Sequence, residues 1–118
     1  MEDASVKAIL GLGLTLLTST VLFTCSATAE GSGAAATFKS KCTLCHGADG
    51  AGQTTLGKQL QAANLRSKDV QKKSDAELRK TIHDGNGNMP PFGDQLSDEQ
   101  ISGLVQYVRT LGKTAKKQ

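Results

Sequence analysis

Cys42-Thr43-Leu44-Cys45-His46 gathers two of the chain's three cysteines and one of its two histidines into five residues. On one helical turn, two cysteines three residues apart project to the same side. Each thiol can then form a thioether with one of two vinyl groups on a porphyrin edge. The adjacent imidazole reaches the metal from one face of the ring. C-x-x-C-H is the pattern by which haem is attached covalently to protein.

Other uses of the same residues fit less well. A thioredoxin-type redox pair follows a strand in a βαβ arrangement, and the chain has no convincing run of alternating strand residues. A four-ligand zinc site needs one more ligand than Cys42, Cys45 and His46, and His83 is the only other histidine. Buried inert cysteines leave the histidine unexplained, and a bond between cysteines this close closes no useful loop.

The elements that would carry this motif read as helices. Glu30 to Thr37, EGSGAAAT, is a short flexible lead-in (30–33) running into a helix, on which Phe38 lies four residues before Cys42 and shares its face. The run from Gly47 to Gly57 is too rich in glycine for a regular element and reads as a loop. Residues 58–73 are basic and mixed, with one short helix near Lys68–Lys72. Two starts fit the capping box, Ser74-Asp75-Ala76-Glu77 and Ser97-Asp98-Glu99-Gln100. The first opens a short helix with Leu78 and Ile82 one turn apart, ending at Asp84-Gly85. The second opens a longer one on which Ile101, Leu104, Val105, Val108 and Leu111 keep helical spacing, with Gly112 as its end and 113–118 a basic tail. The chain is therefore all-α, with long loops and a thin core. Such loops inside a small domain serve a function or wrap something.

Residues 8–25 form an uncharged apolar stretch behind Lys7, and Ala27-Thr28-Ala29 comes next as a small-x-small pattern. Residues 1–29 therefore read as a signal peptide, with an uncleaved membrane anchor as the alternative. Cleavage after Ala29 leaves 89 residues, net charge +4, with Phe38, Phe92 and Tyr107 as the only aromatics. A chain that small needs an added stabiliser, and a haem supplies it. Cys25 weakly matches a lipidation box, but Phe23 and Thr24 are poor fits, so it reads as discarded with the signal.

Phe38 ahead of CTLCHG, the glycine-rich loop after it, NMPPFG and the closing LSDEQISGLVQYVRTLG together resemble the small single-haem class I c-type cytochromes of bacterial periplasms and photosynthetic electron transport. The resemblance spans residues 34–112. It implies three to five helices wrapped around one covalent haem c, with Cys42 and Cys45 as thioether positions. It implies that His46 is the proximal iron ligand and that Met89, from the Met-Pro loop, is the distal one. It also implies that the first and last helices cross near the haem with Phe38 and Tyr107 packed between them. Many family members carry a proline after the motif whose carbonyl orients the proximal histidine. Residues 47–60 hold none, and some carbonyl of GADGAGQ is expected in its place.

If a methionine of the exported chain binds iron, it is Met89, since Met1 is the only other. His83 is the competitor and would give a bis-histidine haem. At the end of its short helix it reads better as a solvent-facing charge partner. Gly85 and Gly87 let the chain turn out of that helix, and Pro90-Pro91 stiffen the backbone beyond Met89. Arg66, Gln53 and Asn64 are candidate donors to the haem propionates, with an exposed loop position the simpler account of each.

These readings lead to a single-electron carrier working outside the cytoplasm, not an enzyme, exchanging electrons with redox protein partners. Lys39, Lys41, Lys58, Lys68, Lys72, Lys73 and Lys80 could steer an acidic partner, or simply solvate the surface. Nothing points to nucleic acid. Membrane association would require a retained N-terminal segment or a lipidated Cys25. The alternatives are a haem module that binds small ligands or acts as a peroxidase, and the cytochrome subunit of a larger oxidoreductase.

Overall fold

A computed structural model describes residues 30–117; the signal-peptide and Cys25 readings lie outside them. The described residues form six helical segments. They are α1 (Glu30–Lys41), α2 (Thr43–His46), α3 (Thr55–Leu60), α4 (Lys68–Gln71), α5 (Asp75–Asp84) and α6 (Asp98–Ala115). The count exceeds the three to five expected because α2 and α4 are single turns of four residues each. No helix among the described residues is long and apolar enough to cross a membrane.

Both capping boxes form. Ser74 Oγ accepts from Glu77 N while Glu77 returns a carboxylate to Ser74 N at 2.7 Å. Ser97 and Gln100 repeat the arrangement at the start of α6. Each cap satisfies amides that a helix start leaves unpaired, which fixes where α5 and α6 begin.

Three element boundaries differ from the sequence reading. The lead-in at 30–33 is helical, being the first turn of α1. Inside the expected loop, α3 begins at Thr55, capped by Thr54, whose Oγ1 accepts from Gly57 N at 2.8 Å. Gly57 breaks the helix pattern in sequence because a side chain there would sit 2.1 Å from the Cys45 carbonyl oxygen. Lastly, α6 runs through Gly112 to Ala115, so the first half of the expected tail belongs to the helix. Gly112 makes room for Gln71, whose amide donates to the carbonyls of Leu65 (2.7 Å) and Val108 (3.0 Å).

The core lies along α6. Phe38, Leu96, Ile101 and Leu104 form one buried cluster, and Val70, Leu78, Val105 and Val108 a second. Leu65 and Ile82 touch both. Phe38 of α1 meets Tyr107 of α6 with ring centroids 4.9 Å apart at 44°, a tilted aromatic contact that contributes about 1 kcal/mol beyond its area. Arg109 ties α6 to the α4–α5 junction. Its guanidinium donates to the carbonyls of Gln71 and Lys73 and pairs with Asp75 at 2.7 Å.

Candidate haem site

The CTLCH turn is a continuation of α1. Cys42 N donates to Phe38 O at 2.9 Å and His46 N to Cys42 O at 2.9 Å, so both cysteines and the histidine share one helical path. Its end is closed by the loop after it. Gly52 N donates to His46 O at 2.8 Å, and Thr54 Oγ1 lies 2.8 Å from Leu44 O and 3.1 Å from Cys45 O. The glycine-rich loop thus satisfies the carbonyls that a helix end leaves open.

His46 is buried, 8% exposed, and its Nδ1 lies 3.0 Å from the carbonyl oxygen of Ala63. That oxygen can only accept, so Nδ1 carries a proton, which makes Nε2 the ring nitrogen available to a metal. The partner is not in GADGAGQ, where it was expected. The chain turns back after α3, with Ala62 N on Gly57 O at 2.8 Å, and this reversal brings Ala63 under the imidazole. Burial pushes the Cys42 thiol up to about 11, with Lys41 acting against the rise.

Two adjoining cavities, about 330 and about 130 Å³, share Cys42, His46, Met89 and Phe92 in their walls. They are two parts of one cleft. Cys45 lines the larger part, while Leu65, Val70, Leu78, Leu104 and Val108 make the smaller part apolar. The structure therefore brings all four residues expected at the site, Cys42, Cys45, His46 and Met89, to one cleft. A donor set of imidazole and thioether, beside two thiols and an apolar wall, suits a haem. His83 does not line the cleft. It is exposed, with Nδ1 2.6 Å from Asp84 Oδ1.

Met89 is carried by a loop closed on itself and on α5. Met89 N donates to Asn86 O at 2.9 Å, and Asn86 N to Met89 O at 3.1 Å. Beyond the prolines, Phe92 N reaches Ile82 O and Gly93 N reaches His83 O, each at 3.0 Å. Gly85 opens the loop at φ 77, and a side chain there would lie 2.6 Å from Met89 O.

The propionate candidates lie elsewhere. Arg66 pairs with Asp49 at 3.1 Å, Asn64 Oδ1 accepts from Arg66 N, and none of Arg66, Asn64 and Gln53 lines the cleft. Gln61, Thr81, Asn86 and Asn88 do, and were missed. For Asn86 and Asn88 the signal was their place on either side of Gly87, three residues and one residue before Met89. Nothing in the sequence marks Gln61 or Thr81. All seven candidate docking lysines are exposed, and of these Lys41 and Lys73 border the cleft.

An all-helical domain that turns a C-x-x-C-H segment into an apolar cleft defines a protein that carries haem covalently. The family described as cytochrome c oxidase, cbb3-type, subunit III matches residues 29–108, and the chain belongs to this family of small c-type cytochromes. It is 30% identical over 109 residues to cytochrome c6 of Picosynechococcus sp., covering 87% of this chain and 92% of that protein. It is 36% identical over 76 residues to the cbb3-type cytochrome c oxidase subunit FixP of Azorhizobium caulinodans, covering 64% of this chain but 25% of FixP. Among solved structures, the KustC0563 c-type cytochrome superposes with a TM-score of 0.61 at 32% identity, over 66% of this chain and 95% of its own. A variant of that cytochrome gives 0.60 at 34%. The cofactor is covalently bound haem c with its iron, and the protein is a haem-based electron carrier of the class I fold.

Proposed function

We propose that the iron is held between His46 and Met89, with Cys42 and Cys45 as the thioether attachments, and that the protein shuttles single electrons without making or breaking substrate bonds. The observation that carries this reading is the convergence of these four side chains on one cleft from two separate segments, 42–46 and 85–93. When bound, a haem with histidine and methionine ligands supplies a reversible ferric/ferrous couple of raised potential. The chain's own contribution is orientation. Ala63 fixes the His46 tautomer and raises the basicity of its ligating nitrogen. The Asn86–Met89 pairing holds the thioether-bearing residue in a closed turn. Phe92, Leu65 and Val70 keep the cleft apolar.

Replacing the thioether tests the assignment. Met89→Ala should abolish the methionine–iron charge-transfer band of the oxidised protein and lower the midpoint potential. A band that survives in Met89→Ala and vanishes in a His83 variant would defeat it. Carbon monoxide separates the carrier from a ligand-binding module: slow, weak binding by the ferrous protein is expected, and fast, tight binding favours the module.

The match to FixP, over a quarter of that protein, is the observation behind the reading of the chain as one subunit of a larger oxidoreductase. The near full-length match to cytochrome c6 favours a free carrier with partners of its own. Residues 34–112 form the cytochrome domain, and residues 1–29 would direct it out of the cytoplasm. Exposed Lys41 and Lys73 beside the cleft suit a partner with an acidic docking surface.

A further inference from the structure

The turn that ends α3 touches both sides of the cleft. Its Ala63 carbonyl accepts from His46 Nδ1 at 3.0 Å, and its Leu60 carbonyl accepts from Asn88 Nδ2 at 3.0 Å. Between them Gln61 sits at φ 56, the one left-handed residue other than glycine among the described residues. Ala62 N on Gly57 O locks the reversal. The carbonyl of Leu60 is one of those that a helix end leaves for an outside donor. Within 85–93, Asn88 makes the only side-chain hydrogen bond among the described residues, and it is the one bond that ties that loop to the turn after α3; the loop's backbone bonds stay within it, return to α5 or run on to residues 95 and 96.

We infer that Asn88 is a positioning residue, a latch that fastens the Met89 loop to the same turn that orients His46. The inference rests on Met89 as distal ligand. With the latch made, the closed state of the loop gains one hydrogen bond that the open state lacks. A competing ligand must break that bond before it reaches the metal. The latch therefore governs how readily the distal position is exchanged, and contributes little to which ligand occupies it at rest.

The test titrates the purified ferric haem protein with imidazole and follows loss of the methionine–iron band. Asn88→Ala removes the donor without adding charge, and Asn88→Asp removes it while keeping the shape. Both should retain the band at neutral pH and bind imidazole about fivefold more tightly, the factor that one ordinary hydrogen bond sets on a closed–open equilibrium. Asn88→Gln, which keeps the donor, should return affinity toward that of the unaltered protein. A structural role alone would lower thermal stability and leave the imidazole affinity unmoved. Unchanged affinity in either donor-less variant, with the band present, overturns the latch. Absence of the band in the unaltered protein overturns the latch and the Met89 assignment together.

Discussion

The two walls of the cleft are built by different means. The proximal wall, residues 42–63, is a continuous piece of chain in which each turn satisfies the one before it, ending with a buried imidazole on Ala63. The distal wall, residues 85–93, is a loop whose Asn86, Gly87 and Asn88 are exposed and whose Met89 is half-buried. It is suspended from the last carbonyls of α5 and from Leu60. A locally closed wall resists perturbation as a unit. A suspended loop depends on the elements it hangs from, and those can be loosened one at a time.

The largest effect should come from removing what both walls enclose. The cleft is lined from two small clusters, by Phe38 and Leu104 of one and Val70, Leu78 and Val108 of the other, and among the described residues the two share only Leu65 and Ile82 as partly buried neighbours. A domain of this size with so thin a core needs the added apolar mass of its cofactor. Cys42→Ala combined with Cys45→Ala should therefore yield a haem-free chain that has lost most of its helical circular dichroism. A compact haem-free chain that unfolds cooperatively would show that the walls stand without their contents.

Next come two glycines, one per wall. An added methyl at Gly57 would lie 2.1 Å from the Cys45 carbonyl oxygen and 2.8 Å from that of Gly52. Backbone cannot move aside cheaply, so Gly57→Ala should cost about 3 kcal/mol, at the upper end of overpacking effects. Gly85→Ala combines φ 77 with a 2.6 Å approach to Met89 O, and should cost roughly 1–3 kcal/mol as backbone strain. The comparison lies in how the two divide. Gly57→Ala should lower the melting temperature more, while Gly85→Ala should weaken the methionine–iron band more. The reverse ordering would mean that the distal loop is no softer than the proximal turn.

The same contrast decided what could be read from the sequence. CTLCH was legible because its chemistry depends on spacing along five residues, and Ser74, Glu77, Ser97 and Gln100 because a capping box is equally local. Phe38 and Tyr107 came through the family pattern. Ala63 was not legible, since its part in the site is a backbone carbonyl and any residue supplies one. Helix α3 hid behind Gly57, and the continuation of α6 behind Gly112. Both glycines serve close contacts from distant residues, Cys45 and Gln71, instead of ending an element. The placement of Met89 was legible from its Pro-rich company. Its support by Asn88 and Leu60, 28 residues apart, was not.

The smallest effect is set by pH, and it should fall on the distal side first. Three carboxylates on α5, the helix from which the Met89 loop hangs, are held below their ordinary range. Asp75 is lowered by its hydrogen bond from Arg109, Glu77 by the Ser74 backbone amide, and Asp84 by Lys80 and then His83. In each the folded value lies below the unfolded one, so between the two the unfolded chain binds more protons. The stability they contribute is present above the unfolded values, near pH 4, and is lost as pH falls through the folded ones. All three are exposed, so each effect is small and screened by salt. Acid titration of the ferric protein should weaken the methionine–iron band before the helical signal falls, because α5 loosens while the locally closed proximal wall holds. Asp75→Asn should flatten part of the fall in melting temperature between pH 5 and pH 3, roughly the window in which ordinary carboxylates titrate. Simultaneous loss of band and helix would mean that the two walls yield as one unit.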